Sequence, residues 1–401
     1  MTTRRHFIHG ATAFGATMVA GTALSKAADF PGFDFANVGP TAPSADTLKQ
    51  MVAAALAKTK PSNGSRYLFG YTMWGGSSPF SQLNRQGIQS LCDAAGIDLV
   101  VADNVWDPQR NVANAQTFAL RHVDFVINSL LDIHFAEAVK RPLDRAGVPI
   151  ISLDIPIPGT EWVGVNNASA GFRSGTYLAQ SAIAKWGQAV AMQANVIVAS
   201  FRAVGPNGIL RNMSEEAGIR SVLKGLPDAQ VIWLDMTGTA DSGFERMNSV
   251  LGRLDPSKPI LLTSFSDEQL AGALRAVSVA GRNDKTLACG MGGERLDVIA
   301  TDPSFIGTVS FFPQDYANAA VPAALAILAG VPVPKSVFAY SELVRPDTVC
   351  KIDPKLPCRP RPSWQSDDAA VDPDAYKAYV TGLYKNPEFA NFRMLLPDVP
   401  S

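Results

Sequence analysis

Residues 125–154, FVINSLLDIHFAEAVKRPLDRAGVPIISLD, form the stretch that indicates the fold class of this chain. Residues 125–127 and 149–153, at its two ends, are short and mostly apolar, as strands buried on both faces of a sheet are. Residues 135–146 between them carry apolar side chains at helical spacing. A strand, a helix and a second strand in this order predict a βαβ unit, whose two strands run parallel.

The same alternation continues on both sides of this unit. Further strands are predicted at residues 67–71 and 98–102 before it, and at residues 190–199, 231–234, 259–263, 286–290 and 307–311 after a break near residues 164–166. Regular helices between short apolar strands predict an α/β fold with a parallel sheet. The restart after the break predicts two such lobes in tandem.

The first 27 residues have the features of an export signal. Arg4 and Arg5 stand next to each other, a weakly apolar run rich in Ala, Gly and Thr covers residues 10–24, and small residues suited to a signal peptidase follow it. The run is shorter than the roughly 20 strongly apolar residues that span a bilayer. Lys26 suits the twin-arginine route. We therefore predict a twin-arginine signal peptide over residues 1–27 and a location in the periplasm.

Composition and charge narrow the class of partner. The chain has 401 residues, of which 47% are hydrophobic and 18% charged, as in globular proteins. Removal of the signal would change the formal net charge from −1 to −4, because it takes away three basic residues and no acidic ones. A mildly acidic chain without a basic run argues against nucleic acid or anionic lipid as partner. We expect no insertion into a membrane, because no second apolar stretch of the sequence is long enough to span one.

Two extensions flank the predicted lobes. Residues 28–65 form an N-terminal extension with one amphipathic helix at 45–58. Residues 350–401 form a Pro-rich C-terminal extension with one helix at about 373–383.

The four cysteines are of two kinds. Cys92 lies in a helical pattern and Cys289 in a strand pattern, so both are predicted to be small core residues. Cys350 and Cys358 flank seven residues of the Pro-rich extension, and in an oxidising compartment we expect them to form a local disulfide. Two thiols without a neighbouring His do not make a zinc site, and no metal or other cofactor is predicted.

Polar and aromatic residues follow most of the predicted strands. Ligands of parallel sheets bind beyond the carboxyl ends of the strands, and two lobes whose strand ends face each other enclose a cleft. We therefore expect the ligand site among these residues.

In order and spacing, these segments resemble the periplasmic substrate-binding proteins of the ribose-binding kind, over about residues 66–344. The resemblance is carried by Pro79-Phe80, by DLVVAD at 98–103, FVIN at 125–128, AGVPIISLD at 146–154, Asn166-Asn167, DEQLAGALR at 267–275 and GTVSF at 307–311. It implies a type I periplasmic binding fold, in which two doubly wound parallel-sheet lobes are joined by a hinge that the chain crosses several times. Residues 66–165 with 312–339 would form lobe 1, and residues 166–311 with 340–349 lobe 2.

The resemblance also implies a set of ligand contacts in lobe 1. Phe80 matches an aromatic residue that stacks on a sugar ring. Asp154 matches a carboxylate that accepts hydrogen bonds from sugar hydroxyls, and Asn128 and Asn167 match further polar contacts. Ile155 replaces an Arg of the family, which removes one positive charge.

In lobe 2 the pattern is largely rewritten. Glu215 stands where a helix Arg is expected, unless Arg211 takes its place, while Ser266 and Phe311 replace an Asn and a Gln. The sequence thus predicts a less cationic and more aromatic cleft, to which Trp74, Ser78 and Trp106 also contribute.

The resemblance implies an exported, monomeric solute-binding protein that delivers a small, carbohydrate-like ligand to an ABC transporter permease. A sensor that presents the same ligand to a membrane receptor is an alternative that the sequence leaves open. An exported enzyme is a weaker one, since only His122 and His134 follow the signal and no Gly-x-Ser-x-Gly motif is present.

Overall fold

A computed structural model describes residues 30, 31 and 33–400 of the chain. The predicted signal peptide lies outside the described residues. Among the described residues, no helix is long and apolar enough to cross a membrane.

Twelve strands form two sheets of six strands each in the described part of the chain. In chain order they are β1 (Leu68–Met73), β2 (Asp98–Asp103), β3 (Phe125–Ser129), β4 (Ile150–Leu153), β5 (Glu161–Gly164), β6 (Asn195–Ser200), β7 (Val231–Asp235), β8 (Ile260–Ser264), β9 (Thr286–Gly292), β10 (Phe305–Ser310), β11 (Ser336–Phe338) and β12 (Glu342–Val344). The first sheet has the order β11-β5-β4-β3-β1-β2, and the second has the order β12-β10-β9-β8-β6-β7.

The α-helices connect these strands and cover both sheets. They are α1 (Ala45–Lys58), α2 (Pro79–Ala95), α3 (Pro108–Leu120), α4 (Ala136–Ala146), α5 (Asn167–Trp186), α6 (Gln188–Ala191), α7 (Pro206–Val222), α8 (Ala240–Leu251), α9 (Asp267–Val279), α10 (Leu296–Thr301), α11 (Ala317–Leu328), α12 (Val349–Ile352) and α13 (Pro373–Lys385).

The strand pairing confirms the predicted fold class of two parallel-sheet α/β lobes. Every pair within the first sheet is parallel. The second sheet differs only at its edge, where β12 runs antiparallel to β10. Strand β10 belongs to the second sheet, β11 to the first sheet and β12 to the second sheet again. The chain therefore crosses between the lobes repeatedly, and these crossings form the hinge of the fold.

The structure differs from the predictions in several short elements, among them β5, β11 and β12, which were not predicted. The strand predicted at 190–199 begins only at Asn195, because residues 188–191, rich in the helix formers Ala and Gln, make the short helix α6. Strand β5 was not predicted; it has four residues and begins with a charged Glu161, so it lacks an apolar run.

The helices of lobe 2 approach each other closely where glycine removes a side chain. A Cβ at Gly175 of α5 would lie 1.9 Å from the carbonyl oxygen of Glu215 in α7. Glu215 is fully buried at this contact, and its Oε2 accepts a hydrogen bond from the Asn212 side chain at 2.8 Å. Burial raises the pKa of Glu215 to about 7. The helices therefore enclose a carboxyl group in the interior of the lobe.

Cysteines follow the sequence interpretation. Cys92 and Cys289 are free and buried. A disulfide joins Cys350 and Cys358. Next to it, the Arg359 guanidinium donates hydrogen bonds to the carbonyl oxygens of Ile299, Asp302 and Phe305, which attaches this loop to lobe 2.

The C-terminal extension lies against both lobes. In α13 the Tyr379 ring contacts Phe172 of α5 at a centroid distance of 5.5 Å, and its hydroxyl forms a 2.7 Å hydrogen bond with Ser214 of α7. Farther along, Phe389 belongs to the apolar cluster that includes Trp162 of β5 in the other lobe. The extension thus links the two lobes on the outside of the hinge.

We expect Phe389→Ala to lower the free energy of unfolding by about 3 kcal/mol, because truncation of a fully buried Phe leaves a cavity between the extension and lobe 1. Denaturant titration of the mature protein measures this change. Glu388→Ala, at an exposed neighbouring position, is the control and should change it by less than about 0.5 kcal/mol. An equally small effect of Phe389→Ala would show that the extension does not unfold together with the lobes.

Candidate ligand-binding cleft

A cavity of about 500 Å³ lies between the two lobes at the carboxyl ends of their strands. Its volume is within the range of roughly 300–1,000 Å³ that is usual for small-molecule sites. Loops after β1, β2, β3 and β4 supply the wall on the side of lobe 1, and loops after β6 to β9, with the first turns of α7, supply the opposite wall.

Aromatic side chains line both walls. On lobe 1, the rings of Trp74 and Phe80 meet edge to face with centroids 5.6 Å apart. On lobe 2, Phe201 and Phe265 meet in the same way at 5.7 Å. Trp106 lies at the rim with 43% of its surface exposed. Its φ of 61° is in the left-handed region, which is rare for a bulky residue.

Asp154 lies at the end of β4 and faces the cleft. Its Oδ1 accepts a 2.8 Å hydrogen bond from the hydroxyl of Tyr316, and its carbonyl oxygen accepts a 2.7 Å bond from the indole of Trp162. Burial raises the pKa of Asp154, whereas the positive charge of Arg211 and the bond from Tyr316 oppose this rise. The backbone at Asp154 has a φ of 54°, which Asp and Asn tolerate better than other side chains.

Arg211, in α7, is the buried cation of the opposite wall, with 4% of its surface exposed. Its Nε donates to Oδ1 of Asn167 and its Nη1 to the carbonyl oxygen of Phe265, both at 2.7 Å. The guanidinium also lies 4.4 Å from the ring centroid of Phe265 and 4.7 Å from that of Phe311. From the sequence, Glu215 was predicted at the position of the family's helix Arg, with Arg211 as an open alternative. The structure places Arg211 on the cleft wall, so the cleft has one buried positive charge although the sequence predicted a less cationic site.

Two more acidic groups lie beside this cation in lobe 2. Burial is the main cause that raises the pKa of Glu294 to about 8 and that of Asp267 to about 7. The neighbouring Asp267 raises the pKa of Glu294 further, and Arg211 lowers both. Of these two, only Glu294 lines the cleft. It lies two residues after the end of β9, among the strand-end residues where the sequence predicts the ligand site, but it was not one of the ten named ligand contacts.

The structure brings six of the ten predicted ligand residues to the cleft wall. These are Trp74, Ser78, Phe80, Trp106, Asp154 and Ser266.

The other four predicted residues lie behind the wall. Asn167 orients Arg211 and also donates to Asn207, and Phe311 packs against the guanidinium from below. Glu215 lies in the interior between helices α5 and α7. Asn128 is fully buried in β3, and its side-chain amide has no hydrogen-bond partner among the described residues.

Comparison with known proteins gives a family for this architecture. Residues 69–332 match the family model described as periplasmic binding protein domain. The ribose import binding protein RbsB of Escherichia coli is 24% identical over 261 residues, which are 63% of this chain and 82% of that protein.

Solved structures share the fold at lower identity. A periplasmic solute-binding protein of an ABC transporter from Actinobacillus succinogenes, with bound D-allose, has a TM-score of 0.61 at 20% identity and covers 71% of this chain and 100% of its own. An ABC transporter solute-binding protein from Bacillus halodurans, with bound myo-inositol, has a TM-score of 0.60 at 18% identity and covers 73% and 99%. From the family match over most of its length, this chain belongs to the periplasmic binding protein domain family and is a solute-binding protein of the ribose-binding kind, not an enzyme.

Proposed function

We propose that this protein captures a small polar ligand, a sugar, a polyol or a derivative of one, between its two lobes and delivers it to an ABC importer. The observation that carries the proposal is the pairing of the Asp154 carboxylate with aromatic faces in one cleft. D-Allose and myo-inositol, bound to the two similar structures, belong to the same chemical class.

A carbohydrate fits these walls because it has two kinds of surface. Its ring faces carry C–H groups, which stack on aromatic rings such as those of Phe80 and Phe265. Its edges carry hydroxyl groups, which donate to a carboxylate and accept from a guanidinium, here Asp154 and Arg211. Trp74, Ser78, Trp106 and Ser266 would complete the contacts in this proposal, and Asn128, Asn167, Glu215 and Phe311 would support the wall from behind.

The proposed mechanism is a shift between an open and a closed arrangement of the lobes. Asp154 and Phe80 belong to one wall and Arg211 and Phe265 to the other, so a ligand that contacts all four is bound most tightly when the lobes are closed. The ligand thereby raises the population of the closed form, which the permease would recognise.

The moving bodies in this mechanism are residues 66–165 with 312–339, and residues 166–311 with 340–349. The protein would act as a monomer, because the cleft lies within one chain. Export by the twin-arginine route, with residues 1–27 as signal, is part of the same proposal.

A thermal-shift screen of the mature protein tests the ligand class. We expect at least one sugar, polyol, amino sugar or sugar acid to raise the unfolding midpoint in a dose-dependent way, since a ligand that binds only the folded state stabilises it by mass action. A flat response to all carbohydrate-like compounds, with a positive response to another chemical class, would contradict the proposal.

Asp154→Asn should weaken the binding of the best ligand from that screen by about 2 kcal/mol, or roughly 30-fold, because hydrogen bonds to a charged acceptor are lost. Asn tolerates the left-handed backbone and keeps an oxygen for Tyr316, so the variant should fold. Asp144→Asn, at an exposed carboxylate that pairs with Lys140, is the matched control. Isothermal titration calorimetry measures both, and unchanged affinity of Asp154→Asn would remove this residue from the site.

Replacement of Arg4 and Arg5 together by Lys should stop export, because the paired arginines are the address of the twin-arginine route. Cell fractionation and immunoblotting should then find the uncleaved precursor in the cytoplasm, whereas a Lys26→Arg control should give mature protein in the periplasm. Normal export of the double Lys variant would indicate a different route.

A further inference from the structure

Glu294 is an acidic residue of the cleft wall, and one of its two carboxylate oxygens has no hydrogen-bond partner among the described residues. Its Oε1 accepts a 3.1 Å hydrogen bond from the backbone N–H of Glu268. Its Oε2 is buried and has no hydrogen-bond partner among the described residues, although the side chain lines the cleft and the residue is only 9% exposed. Buried polar atoms are nearly always paired, so this oxygen indicates a missing partner.

The backbone of lobe 2 is shaped to place this carboxyl group. Gly292, at the end of β9, has a φ of 135°, and a Cβ built there would lie 1.9 Å from Oε2 of Glu294. Any side chain at position 292 would therefore displace the carboxyl group. Glycine at this position lets Glu294 turn back over the strand end into the cleft.

The other charged groups on the cleft wall are already engaged. Glu268 forms an ion pair with Arg295 at 3.1 Å. Arg211 directs its Nε and Nη1 to Asn167 and to the carbonyl oxygen of Phe265, and its charge also serves Asp154. The neighbouring Asp267 adds a further acidic group, whose oxygens accept from Gly293 and Thr308. Glu294 thus lies in a region that is short of positive charge.

The aromatic side chains favour the same sign of ligand charge. Trp74, Phe80, Phe201 and Phe265 line the cleft, and the face of an aromatic ring attracts a cation. The Phe265 ring already has the Arg211 guanidinium at 4.4 Å, which leaves Trp74, Phe80 and Phe201 for a cationic ligand. Among the described residues that line the cleft, Asp132, Asp154, Glu268 and Glu294 are acidic and Arg211 is basic. Glu268 is paired with Arg295, and Asp132 accepts a hydrogen bond from the backbone N–H of His134, so Asp154 and Glu294 are the acids that remain for a ligand.

We propose that Glu294 determines the specificity of the cleft and that the ligand carries a protonated amine, as an amino sugar or an amino polyol does. The inference rests on the proposed function and narrows its ligand class. The ammonium group donates to Oε2 of Glu294, while the hydroxyl groups of the same ligand contact Asp154 and Arg211.

Matched pairs of compounds test this inference by isothermal titration calorimetry on the mature protein. The pairs are D-glucosamine with D-glucose and D-galactosamine with D-galactose, and N-acetyl-D-glucosamine serves as an amine whose charge has been removed. We expect the amine of at least one pair to bind at least tenfold more tightly than its neutral partner, and the N-acetyl compound to lose this advantage.

The variant Glu294→Gln should weaken binding of the amine at least tenfold and change binding of the neutral partner by less than threefold. The control is Asp297→Asn, a nearby carboxylate that pairs with Arg295 outside the cleft wall and should leave the preference unchanged. An amine preference that survives Glu294→Gln would overturn the role of Glu294.

The wild-type preference alone decides the ligand class, even if the Gln variant does not fold. Equal or tighter binding of the neutral sugars would overturn the amine inference and leave the proposed function in place. If no carbohydrate-like compound binds, charged or neutral, the proposed function fails and the inference fails with it.

Discussion

Each sheet of this protein receives its last strand only after the chain has crossed the hinge more than once, and this constraint governs the rest of the structure. Strand β11 closes the edge of the first sheet beside β5, and β12 closes the edge of the second beside β10. The lobes therefore cannot be cut from the chain as two continuous pieces. Because the crossings hold the lobes side by side, the carboxyl ends of both sheets face one space, and the cleft is a consequence of the topology.

Within that space, the electrostatics depend on the balance between one buried cation and several buried acids. Arg211 interacts with Asp154 across the cleft and lowers the pKa values of Glu215, Asp267 and Glu294 on its own side. Burial acts in the opposite direction on all four acids and is the larger effect for each. The positive charge of Arg211 therefore does not offset the effect of burial at any of these four acids, and a hydrogen-bond donor in the cleft would stabilise the charged form of those that it reaches.

The fold could be predicted from the sequence because its signals are local. Helix α1 has the same ends in the prediction and in the structure, since its pattern and its Ser44 cap lie within a few residues. The short edge strands β5 and β11 could not be predicted, because pairing with distant strands defines them more than their own composition does.

The site was harder to predict for a related physical reason. Asp154 and Phe80 follow directly from a strand end and a helix start, and the structure places both on the cleft wall. In lobe 2, the residue that reaches the cleft depends on how long side chains turn across neighbouring backbone. Arg211 reaches over Phe311, and Glu294 occupies the space above Gly292, and no pattern along the sequence encodes either path.

The disulfide of the C-terminal extension has a consequence for the maturation of the protein. If the chain crosses the membrane folded, as proposed, it leaves a reducing cytoplasm with the thiols of Cys350 and Cys358 still separate. Contacts of Arg359 attach this loop to lobe 2 independently of the disulfide, and both cysteines are only half-buried. Oxidation would then be the final step, added to a finished fold. A newly exported molecule would carry the two thiols, and an older one the disulfide, which has two hydrogen atoms fewer. The fraction of molecules with the disulfide would then increase with the time since export.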